Sequence, residues 1–264
     1  MIEPARIQTE IEKAWLLHDS KRGRIPNEIQ RRVRAFKREL APPAAAISRT
    51  LVDPAWRDRV VDALCKRAKG RERALVKVRK ALAGANVALG GNTLAVNFLA
   101  PSMSVLASRG DDPGLEQDCV LARVALAWMA QRTATFWSQW IFEAPDHALG
   151  RLLQRCPQTD LADCLTEAAA AFLDADAGAI CDAAKHRQSI YLRAGDGAFV
   201  TEVIGADVGN GGVVLYARAR TFLNQRQLSD SQVPVGAAAD ASASVLDLLL
   251  EIARRTWSKG EQTK

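Results

Sequence analysis

The sequence predicts an α+β protein: a basic, mainly helical region with a short hairpin over residues 1–110, then a domain over 111–264 in which helices and a three-stranded antiparallel sheet are closed by a terminal helix. Apolar residues recur at helical spacing through most of the first 83 positions. β-Branched and aromatic runs between 189 and 221 are separated by glycine-rich turns. Cationic residues gather at one end: residues 1–80 hold 21 Lys and Arg against 10 Asp and Glu, net +11, and the remainder holds 15 against 20, net −5.

From Glu3 to about Asp19, Ile7, Ile11, Ala14 and Trp15 keep a helical spacing that Lys21-Arg22-Gly23-Arg24 ends. Pro26 suits a first helical turn, and Ile29, Val33, Phe36 and Leu40 then fall at i, i+4, i+7 and i+11. Arg31, Arg32, Arg34, Lys37 and Arg38 fill much of the remaining circumference, which makes this the most basic element, and Pro42-Pro43 is expected to stop it. Asp53-Pro54 reads as an N-cap followed by proline at the first helical position, with Trp56, Val60 and Leu64 as the buried stripe. Another helix is expected over about Glu72–Ala83, and a hairpin from Val87–Leu89 and Leu94–Phe98 around Gly90-Gly91.

Gly110-Asp111-Asp112-Pro113-Gly114 is the clearest loop of the first half and marks the expected domain boundary. For residues 119–142 the spacing fits a buried helix and a strand alike, with Thr133–Phe142 leaning to strand by composition. Pro145-Asp146 opens a short helix to about Arg155, and Thr159-Asp160 opens a longer one from Leu161 to about Asp174, after which helix gives way to sheet. Ser189–Arg193, Ala198–Ile204 and Val213–Thr221 are three strands joined by turns at 195–197 and 209–212. Val245, Leu248, Leu249 and Ile252 stripe a last helix, and no internal repeat is evident.

Composition and motif content exclude several classes. With 264 residues, 48% hydrophobic and 25% charged, the chain is globular and long enough for a full core. The most apolar stretch, Cys119–Ala130, is interrupted by Arg123 and falls short of the ~20 apolar residues of a membrane span, so no membrane partner is expected. The first six residues do not read as an export signal, and five cysteines without a C-x-x-C pair suit neither a disulfide framework nor a zinc ribbon; a cytoplasmic location is expected. P-loop, H-E-x-x-H, G-x-S-x-G and EF-hand signatures are absent, and the glycines at 195–197 and 209–212 sit between strands, where they serve turns. Asp174 and Asp176 lack a third ligand, so neither metal nor cofactor is implied.

A third of the chain at net +11 is the electrostatic footprint of a phosphate-backbone binder, with RNA or DNA as partner and Arg31, Arg32, Arg34, Lys37 and Arg38 as candidate contacts; a solvated cationic face is the plain alternative. His147, Arg151 and Arg155 stand at i, i+4 and i+8 on the expected helix, a stripe opposite Leu149, Leu152 and Leu153. An imidazole beside two permanent cations can hold a phosphate and move a proton next to it, the cations lowering its pKa so that the neutral base persists. An exposed polar helix side accounts for the same pattern.

Asp146-His147-Ala148-x-x-Arg151-x-x-x-Arg155, followed by a helix and three hairpin-connected strands, resembles the H-A-x-x-R-x-x-x-R opening of small RelE-like domains, the fold group of toxin ribonucleases, over roughly residues 144–228. That resemblance implies metal-independent RNA cleavage, with His147 as acid/base and Arg151 and Arg155 as phosphate holders. Arg218 and Arg220 alternate onto one face of the last strand, where they meet the same phosphate or face water, and His186 is a second proton-transfer candidate. The alternative from another class is a non-enzymatic nucleic-acid-binding or assembly module whose protein partner docks on the apolar face of Val245–Ile252.

Overall fold

The computed structural model describes residues 25–65, 68–101, 118–128, 134–207 and 213–235. The expected helix at Glu3–Asp19, the Gly110–Gly114 loop and the Val245–Ile252 helix lie outside the described residues. The class is α+β. In chain order the elements are α1 (Asn27–Val52), α2 (Pro54–Leu64), α3 (Ala68–Ala81), β1 (Asn86–Gly90), β2 (Thr93–Pro101), β3 (Cys119–Trp128), β4 (Ala134–Ala144), α4 (Asp146–Arg155), α5 (Leu161–Asp174), α6 (Ala177–His186), β5 (Ser189–Ala194), β6 (Gly197–Asp207) and β7 (Val213–Asn224). A short 3₁₀ turn at Gln225–Gln227 follows.

The strands form one seven-stranded sheet in the order β1-β2-β3-β4-β7-β6-β5. Two antiparallel meanders, β1 to β4 and β5 to β7, meet at a parallel seam in which Phe142 faces Ala217 and Glu143 faces Arg218. Among the described residues, each meander follows three helices. The sheet also crosses the expected boundary near residue 110, because β2 pairs with β3 from Thr93↔Ala127 to Pro101↔Cys119. Within the stretch 119–142, ambiguous by period, the described residues 119–128 and 134–142 are strand; β3 is covered on both faces, which erases the alternation that would have marked it.

Two cores divide the sheet. Leu94, Val96 and Phe98 on β2 with Val124, Leu126 and Trp128 on β3 belong to one, which α2, α3 and the second half of α1 cover. Cys119 and Leu121 on β3, of opposite parity, belong to the other, with Leu149, Leu152 and Leu153 of α4, Leu165 and Phe172 of α5, and Phe142, Phe199 and Phe222 of the sheet. Phe142, Phe199 and Phe222 are fully buried and meet at centroid separations of 5.3 Å, the geometry aromatic pairs favour.

α1 serves both cores: Val33, with Ile29, Phe36 and Leu40, enters one, and Ala44, Ile47 and Leu51 enter the other. This explains why Pro42-Pro43 does not stop it, contrary to expectation. An interior proline costs about 3 kcal/mol of helix propensity. Burying Ala44, Ile47 and Leu51, each at most 5% exposed, offsets that loss. Asp53 caps α2 by accepting from Ala55 N at 2.9 Å, and Asp160 caps α5 through Ala162 N and Asp163 N. α6 was not expected; Asp176 opens it by accepting from Ala179 N, so this acid has a capping role. The two-residue turn Gly195-Asp196 carries the positive φ of 51° at Gly195, as the turn chemistry requires.

Candidate nucleic-acid interface

The two elements that sequence singles out separately, α1 and α4, pack against each other. Lys37 of α1 is ion-paired with Asp146 at the start of α4. Arg32 donates to the Pro157 carbonyl at 3.1 Å, two residues beyond Arg155. Gly150 of α4 lies so close to Ile25 that a Cβ there would stand 2.6 Å from its Cδ1, so a larger residue would require the Ile25 side chain to shift.

On α1, Arg31, Arg32, Arg34 and Arg38 are exposed, and none of the four forms an ion pair among the described residues. Their hydrogen bonds are local apart from that of Arg32: Arg34 to Gln30 Oε1, and Arg38 to the Arg34 carbonyl. Lys37, grouped with them by sequence, is different. It is buried at 6% exposure and committed to the α1–α4 contact, because position 37 falls one turn after Val33 on the packed side.

On α4, His147 is exposed and its Nε2 lies 2.6 Å from the Arg220 carbonyl. A carbonyl only accepts, so Nε2–H donates and Nδ1 is the basic nitrogen of the neutral ring. Arg151 Nη1 donates to Gln154 Oε1 at 2.7 Å. Arg155 is half-buried, its Nη1 has no hydrogen-bond partner, and burial, then the neighbouring Arg151 charge, lowers its pKa. The i, i+4, i+8 stripe therefore exists, and β7 meets it at His147. His186 ends α6 and is exposed.

The Arg220 carbonyl reaches His147 where a β-bulge interrupts the β6–β7 ladder: Thr201 faces Ala219 and Val200 faces Thr221, which leaves Arg220 as the extra residue. A second bulge, between Trp140 and Phe142, leaves Ile141 extra on β4. Between the two bulges lies a charged cluster that sequence reasoning missed. Arg218 Nη2 donates to Asp118 Oδ2 at 3.2 Å, and its Nε stands 3.3 Å from Glu143 Oε2, an ion pair without hydrogen-bond alignment. Arg220 Nε donates to Glu202 Oε2 at 2.9 Å.

Asp118 and Glu143 are 3% exposed, and both face Arg218. Burial, then the neighbouring Asp118 carboxyl, pushes Glu143 up to about 7, against the lowering effect of Arg218. Arg218 and Arg220 thus do meet on one side of β7, but carboxylates hold both. The available signal was Glu143 itself, the one charge in the run Trp137–Ala144. Among the described residues no group of three or more His, Cys, Asp or Glu could hold a metal ion, and no helix is long and apolar enough to cross a membrane. Comparison with known protein families, with curated proteins and with solved structures finds no match for this chain.

Proposed function

We propose that this protein binds RNA or DNA through backbone phosphates, with Arg31, Arg32, Arg34 and Arg38 of α1 as the contacts. The observation that carries this reading is a contrast in pairing. These four guanidinium groups are exposed without acidic partners among the described residues, whereas Lys37, Arg218 and Arg220 are each engaged by a carboxylate. An incoming phosphate has no internal carboxylate to displace at α1 and releases condensed counterions on binding. Guanidinium forks suit phosphate oxygens in a bidentate geometry.

A second reading, metal-independent RNA cleavage of the RelE-like kind that the α4 motif resembles, is favoured by the His147–Arg220 bond. On that reading His147 Nδ1 takes the proton of a 2′-hydroxyl, whose oxygen attacks the adjacent phosphorus while the 5′-oxygen leaves. Arg151 and Arg155 hold the charge that develops on the phosphate. The test incubates labelled RNA and DNA with the protein in EDTA, beside His147→Ala and an Arg31→Gln/Arg34→Gln/Arg38→Gln variant. Retention lost in the triple variant supports backbone binding by α1. Cleavage of RNA alone, lost in His147→Ala with retention kept, supports the nuclease. Unchanged retention in the triple variant rejects the proposal.

A further inference from the structure

A cavity of about 370 Å³ lies between α1, α5 and the sheet, a volume within the range of small-molecule sites. Leu40 and Ile47 of α1, Ala169 and Leu173 of α5, and Leu99 and Leu121 of the sheet give it an apolar wall. Asn86 and Asn97, paired across β1 and β2, supply polar groups on the same wall.

Behind Asn97, and not itself part of the cavity wall, stands Arg123, the residue that interrupts the most apolar strand. It pairs with Asn97 across β2 and β3 and shares its face of the sheet with Leu121, two positions before it. Its Nε donates to Asn97 Oδ1 at 2.8 Å. Only 8% of the residue is exposed, and no carboxylate among the described residues pairs with it. Compare Arg218, which is 38% exposed and has two carboxylates. A buried charge without a counter-ion is costly, and burial alone lowers the Arg123 pKa. The mutual arrangement of an unpaired guanidinium and an apolar cavity at the same asparagine is the arrangement an amphiphilic acid fills.

We propose that the cavity is a binding site for an apolar monocarboxylate of the medium-chain fatty-acid class, its chain between α1 and α5 and its carboxylate on Arg123 beside Asn97. The carboxylate supplies the counter-ion that the fold lacks, and Arg matches it through two parallel N–H donors. The site is separate from Arg31, Arg34 and Arg38, which lie on the opposite side of α1 from Leu40 and Ile47 and gain nothing from an apolar tail.

Calorimetric titration of the full-length protein with sodium decanoate, 1-decanol and decyl phosphate tests the proposal. Decanoate is expected to bind at least tenfold more tightly than decanol; equal affinities, or no heat with decanoate at millimolar concentration, overturn it. Decyl phosphate binding more tightly than decanoate would reassign the head group and overturn the carboxylate claim. Arg123→Gln is expected to remove the preference for decanoate over decanol, and Ala169→Met, which fills the cavity, to weaken both. The wild-type comparison stands if either variant fails to fold, and an unchanged preference in folded Arg123→Gln contradicts the proposal.

Discussion

On α1, Arg31, Arg32, Arg34 and Arg38 stand in solvent without acidic partners among the described residues, while on β7 Arg218 and Arg220 are held by Asp118, Glu143 and Glu202. By sequence both groups read alike, as cations that meet a phosphate or face water. The difference lies in what surrounds them. A helix surface lets a long side chain keep its charge in water, so its cost is small and its charge is available to a partner. A residue at a strand seam takes its neighbours from other strands, and Arg218 meets two carboxylates that are buried whether or not a ligand is present. The first arrangement suits binding and the second suits holding two half-sheets together.

Removing the seam cation gives the largest expected effect. Arg218→Met leaves Asp118 and Glu143 buried beside one another without a compensating charge, and urea denaturation is expected to show a loss of about 3–5 kcal/mol. Arg31→Met, by contrast, is expected to stay within about 0.5 kcal/mol of the parent. A loss at Arg218 no greater than that at Arg31 would erase the distinction.

Glu143 titrates near 7 in the folded protein and near 4.5 when unfolded, so the folded state binds its proton more tightly. Stability from this group is fully present below about pH 4.5 and is lost as pH rises through 7, an effect on the order of 3 kcal/mol. Urea midpoints from pH 4.5 to 8 are expected to fall for the wild type relative to Glu143→Gln, and parallel profiles would contradict the raised Glu143 pKa. A smaller effect is expected at Lys37, whose partner Asp146 is a quarter exposed: Lys37→Met should cost about 1–2 kcal/mol and leave nucleic-acid retention unchanged.

Local signals were legible where a local cause decides the structure. Asp53-Pro54 and Thr159-Asp160 mark helix starts because capping needs only neighbouring atoms, and Gly195 marks its turn because positive φ is a property of one residue. The i, i+4, i+8 stripe on α4 was legible for the same reason. What sequence missed depends on residues far apart in the chain. The continuation of α1 through Pro42-Pro43 is decided by burial of Ala44, Ile47 and Leu51, and the strands at 119–128 and 134–144 by cover on both faces of β3. The Asp118–Glu143–Arg218 cluster joins positions 100 residues apart, and Lys37, read as surface charge, faces Asp146 across 109.

On the proposed function, the exposed arginines of α1 bind phosphate and the paired arginines of β7 do not. The most direct measurement is the salt dependence of duplex DNA affinity for the wild type, Arg31→Gln/Arg34→Gln/Arg38→Gln and Arg220→Gln. Each phosphate contact adds about 0.9 to the slope of log affinity against log salt, so the triple variant is expected to lose about 2.7 of that slope and Arg220→Gln almost none. A slope unchanged in the triple variant, or reduced as much by Arg220→Gln as by a single α1 substitution, would contradict the account.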